Sequence, residues 1–460
     1  MAEVDVRDVL FVVRHRGVRL SVGIGAALGG LLLLWGYPRA HALLVRSNSL
    51  RAADVEAALS VIPWMPSAVR AQLGVRYLYD PLTFDPQRAL AHLQQAVREN
   101  PFDFRNWLHL AQGYEATGDR ARADAAYRRA LASAPAYFLP RWLYANFLLR
   151  HGERERAIEV FARAVRANPE AAANVAELLQ DADAIQRLDR LANRMSVRAR
   201  LCAFLLARDA FAPALALWRD LAWDEDGGAK LWLARALISR GIEIGEAERA
   251  HALWRAVSER IYGRVGETPI WNGGFEQPRL VEKVADRPPL SLGVPVGSET
   301  FDRDFEWRIA GEAGVVAEVA RGEAYEGKRA LRLEFVKSEG VRFSGVAQLL
   351  PLRPATLYEL RFAYRADLRG DPRVLVEIIE APRGIPQEDR VLFRWWMLPE
   401  AKRTEWVLVR ETFQTLPTTS LALLRVRREP AASLTDFVNG RVWFDAFAIR
   451  SIEAGAEKRS

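Results

Sequence analysis

Three regimes of hydrophobic patterning follow one another along the chain. From Leu20 to Pro38 no residue is charged, and Leu31 to Trp35 are apolar without a break. Roughly 19 such residues cross a bilayer as a helix, so a single transmembrane helix is expected over 20–38. Between about residues 50 and 265, apolar positions recur at helical spacing in a background of Ala, Leu and Arg, which predicts an all-α region. Beyond that point the period changes to two. Leu331, Leu333 and Phe335 alternate with Arg332 and Glu334, and Tyr358, Leu360, Phe362 and Tyr364 alternate with Glu359, Arg361 and Arg365. Further strands are expected at Val374–Ile379, Val391–Leu398, Trp406–Phe413, Ser420–Arg427 and Val442–Ile449, and many short strands imply an antiparallel sandwich. Phe275–Thr300, with four prolines, reads as an extended loop on that sandwich. The chain is therefore expected to be multidomain: a short cytoplasmic segment (1–19), the transmembrane helix (20–38), helices (39–265), an all-β sandwich (266–453) and a tail (454–460).

Arg7, Arg14, Arg16 and Arg19 precede the apolar span and Arg39 and Arg46 follow it. The positive-inside bias then puts the N-terminus in the cytoplasm and the bulk of the chain outside it, in the periplasm where the envelope has two membranes. Ala40-His41-Ala42 offers the competing reading of a cleaved signal peptide, for which the apolar run is long. Gly25 and Gly29 have the spacing that lets two such helices pack closely as a homodimer.

Within the helical region a 34-residue period emerges. Trp107, Leu110, Ala111, Tyr114, Gly118, Ala123, Tyr127, Ala130 and Pro135 are followed by Tyr144, Ala145, Leu148, Gly152, Ala157, Phe161, Ala164 and Pro169, and preceded by Ala89, Leu93, Ala96 and Pro101. Small residues let paired helices approach, large ones fill the gaps, glycine ends each first helix and proline follows each second one. Residues 86–169 resemble tetratricopeptide repeats on these positions, although Arg141 stands where the opening tryptophan belongs. The resemblance implies a solenoid whose first helices line a protein-binding groove, with Arg105, Gln112, Glu115, Trp142, Asn146 and Arg150 facing an envelope protein. Arg198–Leu221 and Lys230–Val257 look like divergent helix pairs, with Trp218, Trp232 and Trp254 packed between them.

The β region resembles carbohydrate-binding modules of the galactose-binding-like jelly-roll type. The likeness lies in Asn272-Gly273-Gly274-Phe275-Glu276, in Glu326-Gly327 leading to Ala330-Leu331 with Val346-Ala347-Gln348, and in the closing Val442-Trp443-Phe444-Asp445-Ala446-Phe447. It implies a structural calcium ion at Glu276 and Asp445, with Ala446 where a second closing aspartate is usual. It also directs attention to Tyr364, Phe393, Trp395, Trp396 and Trp443 as rings on which a sugar stacks. Alternation places Trp395 and Trp396 on opposite faces, so one of the two belongs to the core.

Composition trims the alternatives. The net charge of +7 suggests a polyanion, yet only six of the 65 basic residues are lysine and the arginines are scattered among carboxylates, so nucleic acid is not expected. Cys202 is the only cysteine; it sits in the apolar run Leu201–Leu206 and reads as core. His92, His109, His151 and His251 lack the spacing of a helical zinc site. Histidine is absent after His251, and no nucleophile signature appears in the β region, so no enzyme is expected. The function anticipated is a membrane-anchored, non-catalytic adaptor of the cell envelope. Its repeats would bind a protein and its sandwich polysaccharide or protein, in the assembly or export of a surface polysaccharide. The rivals are a structural interaction protein that binds no sugar and an exported carbohydrate-active enzyme.

Overall fold

A computed structural model describes residues 24–31, 52, 55–56, 67–223, 228–263, 268–278, 304–336, 340–397, 402–431 and 436–452. No helix among these is long and apolar enough to cross a membrane. The expected transmembrane helix over 20–38 is corrected accordingly: residues 24–31 of that stretch are described, as helix, and the rest lies outside the described residues. The single-pass, extracytoplasmic placement and the pairing through Gly25 and Gly29 rested on that span and are withdrawn with it. Most of the Phe275–Thr300 loop also lies outside the described residues. The chain divides into two compact units, 1–167 and 168–460.

The first unit contains three helical hairpins: α1 (Ser67–Tyr79) with α2 (Pro86–Glu99), α3 (Phe104–Ala116) with α4 (Arg120–Ser133), and α5 (Phe138–Arg150) with α6 (Arg154–Ala167). Aspartates start the helices. Asp85 caps α2 by accepting from the amides of Gln87 and Arg88, and Asp103 and Asp119 cap α3 and α4 in the same way. Gly118 and Gly152, with φ of +79° and +78°, end α3 and α5. Each lies in a Schellman turn, where the Asp119 amide donates to the Tyr114 carbonyl and the Glu153 amide to that of Leu148, both at 2.9 Å. The small residues of the 34-residue pattern do what their size permits: Ala89, Ala96, Ala111, Ala123, Ala130, Ala145, Ala157 and Ala164 are all completely buried. Trp107 donates its indole N–H to the Pro101 carbonyl at 2.8 Å, tying α3 to the turn before it.

The second unit begins with helices and ends in the sandwich. Its helices are α7 (Ala172–Leu179), α8 (Ala182–Ala192), α9 (Met195–Ala207), α10 (Phe211–Arg219), α11 (Gly228–Glu243) and α12 (Ala247–Tyr262). Trp218, Trp232 and Trp254 are buried as expected, and so is Cys202, whose thiol points at the Ala214 carbonyl at 3.3 Å. Burial pushes that thiol up to about 12, so it is inert.

Among the described residues ten strands then form two five-stranded antiparallel sheets. The first sheet has the order β1 (Arg308–Ile309), β4 (Phe343–Pro351), β9 (Leu421–Arg428), β6 (Val374–Glu380) and β7 (Val391–Trp396). The second has the order β2 (Val315–Arg321), β3 (Arg329–Phe335), β10 (Val438–Ser451), β5 (Leu357–Gly370) and β8 (Lys402–Gln414). Leu331, Leu333, Phe335, Leu360, Phe362 and Tyr364 point between the sheets with Val374, Val376 and Ile378, as their alternation requires. The outward residues of the first sheet are buried as well: Leu349, Leu375, Ile379, Leu421 and Leu423. α12 lies against β4, and α11 against the short 3-10 turn Pro382–Gly384 that follows β6.

Candidate functional site

The first helices of the repeats bring three side chains together. Arg150, at the end of α5, grips Glu115, near the end of α3, with its Nε and Nη2 at 2.8 to 3.0 Å, and the Tyr127 hydroxyl donates to the same carboxylate at 3.2 Å. Tyr79 closes α1 and is largely exposed; partial burial raises its hydroxyl pKa first, and the Glu115 charge raises it further. Two predicted groove residues thus form an inter-repeat pair. Tyr79 was missed because it precedes the part of the chain where the repeat is legible. Gln112 lies one turn before Glu115 and bonds His109 at 3.2 Å. Trp142 is half-buried between Phe138 and Phe161, each about 5.6 Å away between centroids, and Asn146 donates to the Trp142 carbonyl at 2.8 Å. Arg105, at the start of α3, is exposed with its guanidinium over the Phe104 ring.

In the sandwich the predicted rings separate. Tyr364 and Trp395 face inward and pack 5.0 Å apart, Phe393 packs on the same core, and Trp396 faces outward beside the Arg373 guanidinium at 5.5 Å. Trp443 is buried on the outer side of the second sheet. Its indole N–H donates to Glu323 at 2.6 Å, and the Arg365 guanidinium lies between it and Trp406, 4.3 Å and 5.6 Å from the two rings. Tyr325 leans on Trp406 at 5.8 Å. Tyr325 is the exposed member of this Trp443–Arg365–Trp406–Tyr325 arrangement, and Trp406 and Tyr325 escaped sequence reasoning because only the sheet register and the Asp445-held turn place them beside Trp443.

Glu276 and Asp445 do serve one structure. Glu276 Oε1 accepts from the amides of Lys328 and Arg329, Asp445 Oδ2 accepts from those of Tyr325 and Glu326, and Asp445 Oδ1 accepts from Ala446. Together they pin the turn between β2 and β3. Burial raises the Asp445 carboxyl pKa, opposed by these amide bonds. Three of the four carboxylate oxygens face amide hydrogens, whose partial positive charge opposes a cation in the same place. The pair therefore fits a loop anchor better than a calcium site. Among the described residues no group of three or more His, Cys, Asp or Glu could hold a metal ion.

Glu377 in β6 is completely buried and joined by Arg394 at 2.9 Å, Arg427 at 2.7 Å and Arg425. Burial alone would raise its pKa, but these guanidiniums hold it below the usual carboxylate range. Glu380 bonds Arg390 and Thr419.

Fold and surfaces together define a helical-repeat protein that continues into a β-sandwich resembling carbohydrate-binding modules. A family profile described as the PRP39 N-terminal HAT repeat matches residues 91–176. No curated protein matches the chain. Among solved structures, MamA is 16% identical over 31% of this chain and 82% of its own, with a TM-score of 0.26. PilF of Pseudomonas aeruginosa is 20% identical over 43% of this chain and 92% of its own, with a TM-score of 0.24. The CBM22-1 xylan-binding domain of Paenibacillus barcinonensis Xyn10C is 20% identical over 32% of this chain and 86% of its own, with a TM-score of 0.22. At TM-scores this low, nothing about the ligands or partners of this chain follows from them.

Proposed function

We propose that the protein is a non-catalytic adaptor whose repeats hold a segment of a partner protein and whose sandwich side contacts polysaccharide. The observation that carries the reading is the convergence of Tyr79, Glu115 and Arg150 from three successive first helices. Arg150 keeps more than half of its side-chain surface exposed while it is oriented by Glu115. A guanidinium held this way is preorganised for a carboxylate or carbonyl of a bound chain, and the tyrosine adds a ring that costs little entropy to order. The absence of catalysis is part of the proposal. It is supported by the engagement of the sandwich carboxylates: Glu377 and Glu380 with arginines, Glu276 and Asp445 with backbone amides.

The test is to recover a partner with the full chain and then titrate that purified partner against the Tyr79→Ala, Arg150→Ala double variant. Weakening by about tenfold or more is expected, the loss of one charge-assisted contact and one ring. Unchanged affinity would sink the groove reading.

A further inference from the structure

Antiparallel pairing leaves every second residue of an edge strand with its N–H and C=O directed away from the sheet. β2 is an edge of the second sheet. The Val336 amide donates to the Gly314 carbonyl at 3.0 Å and the Gly322 amide to that of Lys328 at 2.9 Å. Within the unbroken register that joins β2 to β3, the even-numbered residues therefore bond β3 and the odd-numbered ones point outward. Val315 is already satisfied, because it exchanges hydrogen bonds with Glu312 at 2.9 and 3.0 Å. The outward backbone groups of Ala317, Val319 and Arg321 remain, with no hydrogen bond among the described residues.

The other edges of the sandwich are blunted in the ways that keep sheets apart. β1 has two residues, β7 has a bulged pairing at Ile378–Ile379 and carries Arg394, and β8 has one at Tyr364–Ala366 and carries Arg410 and Glu411. β2 has none of these devices. It runs seven residues without a bulge, proline or lysine, and Val316 and Val319, on opposite faces, are 45% and 37% exposed. Its central charge, Glu318, is drawn back over β3 by Arg332. Natural sheets rarely leave so regular and apolar a template bare.

This edge is complementary to itself. A two-fold axis pairs β2 antiparallel with the same strand of a second copy in a register centred on Val319 or on Ala320, and in both the outward N–H groups meet outward carbonyls. Arg321 then stands opposite Ala317 or Val319, and Glu318 opposite Ala320 or Gly322, so like charges never face each other.

We infer that the chain forms a dimer through β2, in which the second sheets of two copies join into one continuous sheet. The inference goes beyond the adaptor reading and does not depend on it; a dimer carries each binding surface twice and gains avidity. Pairing over so few residues buries less than a permanent dimer needs, so the association is reversible.

The experiment is sedimentation velocity of the full chain over about 1–100 μM, which should show a monomer–dimer equilibrium. Val319→Pro removes an outward N–H that β3 does not use, so the monomer keeps its ladder. The dimer loses one hydrogen bond from each copy and should weaken by about tenfold. Val319→Lys places a charge on the same edge and should weaken it too, which keeps the test decisive if the proline variant melts early. Location is read separately. Cys202 is buried, so Val319→Cys and Ala320→Cys each carry one reachable thiol, and a short bis-maleimide should link at least one of them into dimers. Val391→Cys, exposed on the edge of β7, should stay unlinked. A chain that remains monomeric throughout, including one whose β2 edge is taken by a different protein, overturns the inference. So does a dimer untouched by both substitutions at 319, or crosslinking confined to position 391.

Discussion

His251 shows how one side chain reports its surroundings. It is packed on Trp254 and Phe305, and burial, helped by the Arg255 charge, lowers its pKa to about 4. The unfolded chain takes up a proton near the ordinary histidine value while the folded chain refuses it until about pH 4. Stability of the second unit should therefore fall as pH drops from about 6.5 to 4 and level off below, by up to about 3 kcal/mol. Urea titrations across that range should show the slope flatten in His251→Gln; an unchanged slope would place the titration elsewhere. Glu377 is the opposite case, a buried anion held by three arginines, and Glu377→Ala leaves the buried Arg425 with the exposed Glu388 as its remaining counter-charge. A loss of about 1.5–3 kcal/mol, the usual worth of hydrogen bonds to a charged group, is expected from the denaturant midpoint of the sandwich. At this scale sequence reasoning was partial. It placed Cys202 and the three helix tryptophans in the core, and it left the choice between Trp395 and Trp396 open, because alternation says that two neighbours face opposite ways and not which one faces in.

Elements were the most legible scale. Caps, Schellman glycines and alternating strands all arise from contacts within a few residues, and these survive without any knowledge of the fold. The left-handed conformation at Gly118 and Gly152 costs an L-residue about 1–2 kcal/mol, so Gly118→Ala should lower the stability of the first unit by about 1 kcal/mol, as should Asp85→Ala through its lost cap. Chemical denaturation of each variant checks this, and additivity in the double variant is expected because the two sites share no partner. The turn between β2 and β3 has no such local signature; it is held from 119 and 120 residues away in sequence by Asp445. Asp445→Ala should speed hydrogen exchange at the amides of Tyr325 and Glu326 selectively, and protection left intact would remove the anchoring role. β2 itself was not anticipated, since Val315, Val316, Ala317, Val319 and Ala320 put apolar residues on both of its faces and blur the alternation.

For the molecule as a whole, the covered outer face of the first sheet has a direct consequence. A fragment of residues 266–460 would uncover Leu349, Leu375 and Leu423, whereas residues 168–460 keep α11 and α12 beside that face. The shorter fragment should aggregate or melt well below the longer one, measured by light scattering and calorimetry; equal melting would mean that the helices do not stabilise the sandwich. The sequence by itself determined the helical repeat, the alternating strands, the small-residue contacts and the resemblance to sugar-binding modules, because each depends on residue size and period over short spans. Apolarity of a window was no guide at residues 20–38, since no described helix is long and apolar enough to cross a membrane. Tertiary structure alone decided that Arg150 meets Glu115 across repeats, that the first sheet is covered, and that Asp445 holds the turn between β2 and β3. Those contacts join residues far apart in the chain, and the energy that selects them is packing and charge pairing between whole elements, which no local pattern encodes.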